Sequence, residues 1–227
     1  MIQQVMTQYL THQLLNPKEL KSLRKSLSNL DLPWEDGKKT AGNQASLVKN
    51  NLQLEKGSDI SKKLSILITK KILKDNLIKS FALPKNIHGT MFTKSQKGMK
   101  YGRHIDNAYM SSGRADLSFT IFLSNKENYT GGELSIESFN SEKIFKLDAG
   151  EIIVYPSTYL HSVEEVISGE RLVFIGWIES YVKSIEEREY LFDIDAAARS
   201  LITKYGRSEE VDLIYKSYSN LLRRLGD

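Results

Sequence analysis

The middle of the chain contains about eight short segments of strand-forming residues with no helical pattern between them. The segments are rich in Ile, Val, Phe, Tyr and Thr, and clusters of Gly, Ser, Asp and Pro separate them. Many short strands without intervening helices favour a double-sheet jelly roll over a parallel sheet. The predicted strands are His88–Thr93, Lys100–Asp106, Asp116–Leu123, Glu133–Glu137, Lys143–Leu147, Glu151–Tyr155, His161–Val166 and Arg171–Ile178.

A helical pattern precedes the strands. Asn16 and Pro17, followed by Glu19, are typical of a helix start, and an apolar stripe follows at three- and four-residue spacing. A second helix is predicted from about Asp59 to Ser80, and Pro84 ends it. The expected buried positions are Leu20, Leu23, Leu27 and Leu30 in the first helix, and Ile60, Leu64, Leu67, Ile68, Leu77 and Ile78 in the second.

The last part of the chain returns to helical spacing. One helix is predicted to begin at Ile185, and Ser208 is a candidate N-cap for another. Apolar residues that can pack this last helix are Leu213, Tyr218, Leu221, Leu222 and Leu225. Two roles are open for these residues: they cover the barrel, or they form a homodimer interface. We therefore predict an N-terminal helical segment (1–84), a jelly-roll core (85–180) and a C-terminal helical extension (181–227).

Composition excludes several classes of protein. The 227 residues include no cysteine, which excludes disulfides and thiolate metal sites. No apolar run approaches 18 residues, and the N-terminus lacks a signal-peptide pattern, so we expect a cytoplasmic protein without a membrane partner. The net charge of +4 arises from dispersed basic residues, which favours solvated helix faces over nucleic-acid binding.

A histidine and an aspartate stand two residues apart in the segment YGRHIDNAYM. Side chains at positions i and i+2 of a strand point to the same face, so His104 and Asp106 can reach one cation. His161, at the start of another predicted strand, is the candidate third ligand. Two histidines and a carboxylate form the facial triad of non-haem Fe(II) oxygenases, but zinc hydrolases use similar ligands. The pattern alone leaves the metal open.

Arg171 is the first residue of the last predicted strand. If Leu172 and Phe174 face one side of the sheet, Arg171 shares the other side with Val173 and Ile175. An arginine among apolar residues needs an anion, and a dicarboxylate cosubstrate bound to the metal at one end would supply it. The alternative is a surface hairpin in which Arg171 pairs with Glu164 or Glu165.

Long segments of the chain resemble the PKHD-type hydroxylases, Fe(II)- and 2-oxoglutarate-dependent dioxygenases related to prolyl 4-hydroxylases. The segments that carry the resemblance are YGRHIDNA, RADLSFTIFLS, GGELSIE, AGEIIVYPSTYLHSVEEVISGERLVFIGWIES, REYLFDID and DGKKTAGNQASLVKNNLQL. The resemblance implies a double-stranded β-helix. It also implies Fe(II) held by His104, Asp106 and His161, the 2-oxoglutarate C5 carboxylate held by Arg171, O₂ as the oxidant, and L-ascorbate as the reductant that keeps the iron ferrous.

The implied reaction is hydroxylation of a C–H bond in a peptidyl (for example prolyl), amino-acid or small-molecule substrate, with release of succinate and CO₂. Thr120 and Tyr109 are further candidates for cosubstrate binding. The alternative for Thr120 is simple packing within the sheet, and the alternative for Tyr109 is an aromatic residue in a loop without such a role. Lys49, Asn50 and Asn51 are polar enough to face a substrate, but these three residues could equally cap a strand pair. Two rivals remain: a metal-dependent isomerase or hydrolase on a similar barrel, and a non-catalytic jelly roll that binds a ligand or serves as a structural phage or bacterial protein.

Overall fold

Two antiparallel sheets form the centre of the computed structural model, which describes residues 9–40, 42–138 and 141–227. The strands are β1 (Leu10–Gln13), β2 (Trp34–Asp36), β3 (Lys49–Asn50), β4 (Leu52–Leu54), β5 (Pro84–Gln96), β6 (Lys100–His104), β7 (Tyr109–Met110), β8 (Gly113–Arg114), β9 (Leu117–Phe122), β10 (Tyr129–Gly131), β11 (Leu134–Ser138), β12 (Ser141–Phe145), β13 (Glu151–Pro156), β14 (Leu160–Val163) and β15 (Val166–Ser180). The helices are α1 (Pro17–Leu27), α2 (Asn43–Val48), α3 (Asp59–Lys74), α4 (Asn76–Ala82), α5 (Ile185–Tyr205) and α6 (Glu209–Leu225).

The order of the strands confirms the predicted jelly roll. The larger sheet runs β1-β13-β9-β15-β5-β4-β2, and β10 pairs with β15 beside this path. The smaller sheet runs β12-β11-β14-β6-β3, and β7 and β8 form a separate two-stranded ribbon. Neighbours in the sheets are mostly distant in sequence, as a double-stranded β-helix requires.

The N-terminal part contributes strands as well as helices. The sequence predicts a mainly helical segment here, but β1 pairs with β13, β4 pairs with β5, and β3 pairs with β6. These strands have two to four residues each, too few to show an alternating pattern in the sequence. Both sheets therefore depend on residues that precede the predicted core.

The first helix begins as predicted. The side chain of Asn16 accepts a hydrogen bond from the Glu19 amide, and the Glu19 carboxylate accepts one from the Asn16 amide, which is a complete capping box. Leu23 and Leu27 are buried, whereas Leu30 is 96% exposed because it lies beyond the end of α1. The prediction that Leu30 is buried is therefore wrong.

The predicted second helix is divided into two. Asp75 has an extended backbone, and its carboxylate accepts hydrogen bonds from the amides of Leu77 and Ile78, so it ends α3 and caps α4. Leu64 and Ile68 are buried as predicted, but Leu67 is 55% exposed, because the buried stripe of α3 passes through Leu64, Ile68 and Ile72 instead.

The C-terminal helix α6 packs on α5 and on the chain next to β5 and β15, through one of its sides. Ser208 caps it by accepting a hydrogen bond from the Val211 amide, as predicted. Four of the five predicted apolar residues pack against Leu83, Val182 and Leu191, but Leu213 remains 59% exposed and that prediction is wrong. The four are Tyr218, Leu221, Leu222 and Leu225. A homodimer through the C-terminal helices stays a prediction.

Strand β15 separates two apolar clusters. Leu172 and Phe174 belong to one cluster, while Val173 and Ile175 belong to the other, which confirms the predicted alternation around Arg171. In the part of the chain that the structure describes, no helix has the length and apolar character needed to cross a membrane. The cytoplasmic location stays a prediction.

Candidate active site

Three side chains meet where β6 ends beside β14. His104 is the last residue of β6 and pairs directly with His161 of β14. Asp106 follows two residues after His104, and its Oδ2 lies 3.7 Å from Nε2 of His161. One ligand atom from each residue lies within 4.8 Å of the others. The predicted His104, Asp106 and His161 thus converge on one point that is suited to a cation.

Backbone carbonyls orient both imidazole rings. Nδ1 of His104 lies 2.8 Å from the Gly102 carbonyl oxygen, and Nδ1 of His161 lies 3.0 Å from the Tyr159 carbonyl oxygen. Because a carbonyl only accepts, each Nδ1 carries a proton and donates, which makes Nε2 the ring nitrogen that faces the other two residues and can bind a metal. This arrangement is typical of metal-ligating histidines.

The carboxylate of Asp106 is also held in place. The Ser118 hydroxyl donates to Oδ2 of Asp106 over 2.6 Å, and Ser118 lies 2.7 Å from the hydroxyl of Ser157. Both serines are buried, so water does not compete strongly for these bonds. The carboxylate is therefore presented to the histidines in a fixed orientation.

Burial favours the neutral form of His104. Its removal from water, together with the neighbouring His161, lowers the pKa of His104 to about 4. The Tyr101 ring stacks on the His104 ring with 3.6 Å between their centroids, which excludes water from that side. A neutral imidazole offers the lone pair that a metal ion requires.

Arg171 lies inside the barrel rather than on a surface hairpin. It is 3% exposed, and its guanidinium carbon lies 5.4 Å from the centroid of the Phe122 ring. Among the described residues, Nε of Arg171 has no hydrogen-bond partner, and neither Glu164 nor Glu165 pairs with it. Burial lowers the pKa of Arg171, yet a guanidinium remains protonated. A buried cation with an unused donor is suited to bind an anion.

A cavity of about 500 Å³ opens onto the three metal-ligating candidates. Thr120, which is 5% exposed, lines its interior, whereas Tyr109 is 74% exposed and lines its rim. A role for either residue in cosubstrate binding stays a prediction. Tyr155 also lines the cavity, and its buried hydroxyl lies within electrostatic reach of both Asp106 and Arg171.

Comparisons with known proteins decide the family. Residues 90–179 match the 2OG-Fe(II) oxygenase superfamily, and residues 186–227 match the PKHD-type hydroxylase C-terminal domain. A PKHD-type hydroxylase of Prochlorococcus marinus strain MIT 9215 is 75% identical over 96% of this chain and 99% of the relative. Another PKHD-type hydroxylase, from strain MIT 9312, is 70% identical over 96% of this chain and 99% of the relative. The chain belongs to the PKHD-type hydroxylases.

Solved structures agree with the fold of this PKHD-type hydroxylase. A prolyl-4-hydroxylase of Pseudomonas putida superposes with a TM-score of 0.52 at 16% identity, covering 76% of this chain and 92% of the other. A prolyl hydroxylase of Trichoplax adhaerens, solved with a hypoxia inducible factor peptide fragment, gives a TM-score of 0.56 at 15% identity, covering 81% and 86%. The resemblance found in the sequence is confirmed, and the PKHD-type hydroxylase is an Fe(II)- and 2-oxoglutarate-dependent dioxygenase.

Residues near the site that the sequence did not single out are Tyr101 and Tyr155. Tyr155 lies in β13, where five of the six residues are buried, so no alternation of apolar and polar residues reveals which side chains face the cavity. Tyr101 of the PKHD-type hydroxylase pairs with Lys49 across the edge of the smaller sheet. Pairing between residues so distant in sequence leaves no local signal.

Lys49 has an unusual environment for a lysine. It is 5% exposed and lines the cavity, and its ammonium lies 5.2 Å from the centroid of the Tyr101 ring. Burial, and then the positive charge of Lys56, lowers the pKa of Lys49 to about 8. The sequence allows two roles for Lys49, facing a substrate or capping a strand pair. The structure places it in β3 and on the cavity wall of the PKHD-type hydroxylase.

Proposed function

We propose that His104, Asp106 and His161 bind Fe(II) and that Arg171 binds the C5 carboxylate of 2-oxoglutarate. The observation that carries the proposal is the convergence of the Nε2 atoms of two oriented histidines and one oriented carboxylate on a buried point. This donor set leaves coordination positions open for a cosubstrate and O₂. The unused Nε donor of the buried Arg171 supports an anionic partner.

When bound, the iron and 2-oxoglutarate supply the oxidising chemistry, in which O₂ is used, succinate and CO₂ are released, and a C–H bond of the substrate is hydroxylated. The chain orients the participants. Ser118 fixes Asp106, and Thr120 lines the route from the triad into the barrel. Leu134 and Val163 present apolar walls that limit water at the site. L-Ascorbate is proposed as the reductant that keeps the iron ferrous.

The proposed substrate is a peptidyl (for example prolyl), amino-acid or small-molecule compound. The fold does not fix this choice, because substrate selection lies in the loops at the open end of a barrel. Exposed Tyr109 at the cavity rim is placed to contact such a substrate. A non-catalytic ligand-binding or structural role gives no reason for a triad whose members are each oriented by a hydrogen bond.

Anaerobic addition of Fe(II) and then 2-oxoglutarate tests the assignment through the visible charge-transfer band of the iron chelate. We expect the band in the wild-type protein and no iron retention in His104→Ala. In Arg171→Ala, iron should bind normally while the dissociation constant for 2-oxoglutarate rises about 100-fold, because a buried charge-assisted contact is lost. Arg207→Ala, at a guanidinium whose side chain is 79% exposed, is the matched control and should leave both unchanged.

Three results would contradict the proposal. Unchanged 2-oxoglutarate affinity in Arg171→Ala would remove Arg171 from the cosubstrate site, and loss of iron in that variant would make its role structural. Normal iron retention in His104→Ala would contradict the triad.

A further inference from the structure

The cavity beside the triad is lined by more positive than negative groups. Lys39, Lys49 and Lys56 contribute ammonium groups to its lining. Among the lining residues that the structure describes, Asp106 carries the only carboxylate, and it belongs to the triad. Lys39 is neutralised by Glu35, whose carboxylate lies 2.8 Å from its ammonium. The remaining positive charge is available to a ligand.

Lys49 is the buried member of this group. It is 5% exposed, and in the described part of the chain its ammonium has neither a hydrogen bond nor an ion pair. The face of the Tyr101 ring lies 5.2 Å away, and the carboxylates of Asp106 and Asp36 act on the ammonium only from beyond ion-pair distance. Burial of an unpaired ammonium is unfavourable by several kcal/mol unless an anion compensates for it. Lys49 is unpaired, only 5% exposed, and borders the cavity. This combination indicates that the cavity receives an anionic ligand.

Lys49 and Arg171 lie in different sheets. Lys49 is in β3, at the edge of the smaller sheet, whereas Arg171 is in β15 of the larger sheet. The Tyr101 ring contacts both residues, because it stacks on the His104 imidazole with 3.6 Å between centroids and the Lys49 ammonium lies 5.2 Å from its own centroid. Lys49 therefore lies beside the triad at a place separate from Arg171, and Arg171 lies outside the described cavity lining.

We propose that Lys49 binds an anionic group, a carboxylate or a phosphate, of the substrate that this enzyme hydroxylates. The inference rests on the proposed function, since it assigns the cosubstrate carboxylate to Arg171. A single charge-assisted contact in a buried site distinguishes an anionic compound from its neutral analogue by a factor of about 10 to 100. The substrate class is thereby narrowed to compounds with a negative group near the oxidised carbon.

Calorimetric titration of the anaerobic Fe(II) and 2-oxoglutarate complex with inorganic phosphate tests this assignment without turnover. Lys49→Met and Lys49→Gln remove the charge, Lys49→Arg keeps it, and Lys97→Met removes an exposed lysine as the matched control. We expect phosphate affinity to fall at least about tenfold in both neutral variants. It should be largely kept in Lys49→Arg and unchanged in Lys97→Met. Melting temperatures of all variants verify that each is folded.

The affinity for 2-oxoglutarate is measured first in each protein. A wild-type protein that binds no 2-oxoglutarate contradicts the proposed function before phosphate is added. Where 2-oxoglutarate binds, equal phosphate affinity in wild type and Lys49→Met overturns the inference, and phosphate held by the metal alone would give that result. A loss of 2-oxoglutarate affinity in Lys49→Met as large as that in Arg171→Ala also overturns it, because Lys49 would then serve the cosubstrate.

Discussion

Replacement of Lys49 by Met should stabilise the protein, although it should weaken the binding of an anion in the cavity. Methionine retains most of the aliphatic chain and removes the ammonium, which in the folded protein is buried without an ion pair among the described residues. In the unfolded chain the same ammonium is fully hydrated. The difference between these two environments is the stability that the native lysine loses.

The pKa of Lys49 gives the size of this loss. Burial and the nearby Lys56 lower it from 10.5 to about 8 in the folded protein. At about 1.4 kcal/mol per pH unit, the charged lysine destabilises the fold by about 3 kcal/mol. Below pH 8 both the folded and the unfolded chain carry the proton, so the full loss is present. As the pH rises past 8 the folded protein releases the proton first, and above pH 10.5 neither state is charged and the loss disappears.

Urea unfolding of the metal-free protein between pH 7 and pH 10 measures the effect. We expect Lys49→Met to exceed wild type by about 3 kcal/mol at pH 7 and by only about 1 kcal/mol at pH 10. Lys97→Met, at an exposed site, should remain within about 0.5 kcal/mol throughout. A Lys49→Met protein that is no more stable than wild type at pH 7, or whose gain is independent of pH, would refute the argument that this buried charge is uncompensated.

Two further predictions concern the residues around the site. Gly132→Ala places a methyl group 3.0 Å from Cδ of Arg171, so 2-oxoglutarate affinity should fall about tenfold with iron binding intact. Gly98→Ala, which has a similar positive φ but no atom within 4 Å of the added methyl, is the control, and equal affinities in the two variants would contradict the steric argument. Ser118→Ala removes the donor to Asp106 and should weaken metal binding about 10- to 100-fold by calorimetry; an unchanged affinity would show that Asp106 needs no such support.

Local patterns were sufficient to predict most strands of the barrel and the pair His104 and Asp106. Alternation and turn residues are properties of a few consecutive positions, so each strand could be recognised without knowledge of its partner. His104 and Asp106 were predictable for the same reason, because their spacing of two is local. The side of the sheet that Arg171 occupies followed from the alternation of side chains along the strand, which places Leu172 and Phe174 on the opposite side. Leu172 and Phe174 lie together in one apolar cluster, as expected.

Features that depend on distant pairing could not be predicted. Lys49 pairs with Tyr101 from 52 positions earlier in the chain (101 minus 49), through a strand of only two residues. Helical spacing predicted a buried stripe but not its limits, so Leu67 and Leu213 are exposed although both fit an apolar period. Which apolar residues of a helix are buried depends on the surface that it meets, and that surface is formed by other parts of the chain.

The short N-terminal strands have a consequence for the autonomy of the oxygenase region. Residues 90–179, which match the superfamily, exclude β1, β3 and β4. A chain reduced to that range would leave the backbone amides and carbonyls of β13, β5 and β6 without their N-terminal partners. Strand β13 is almost entirely apolar and buried, and such an unprotected edge recruits strands from other molecules. The N-terminal strands thus cover sheet edges that would otherwise promote aggregation of the barrel.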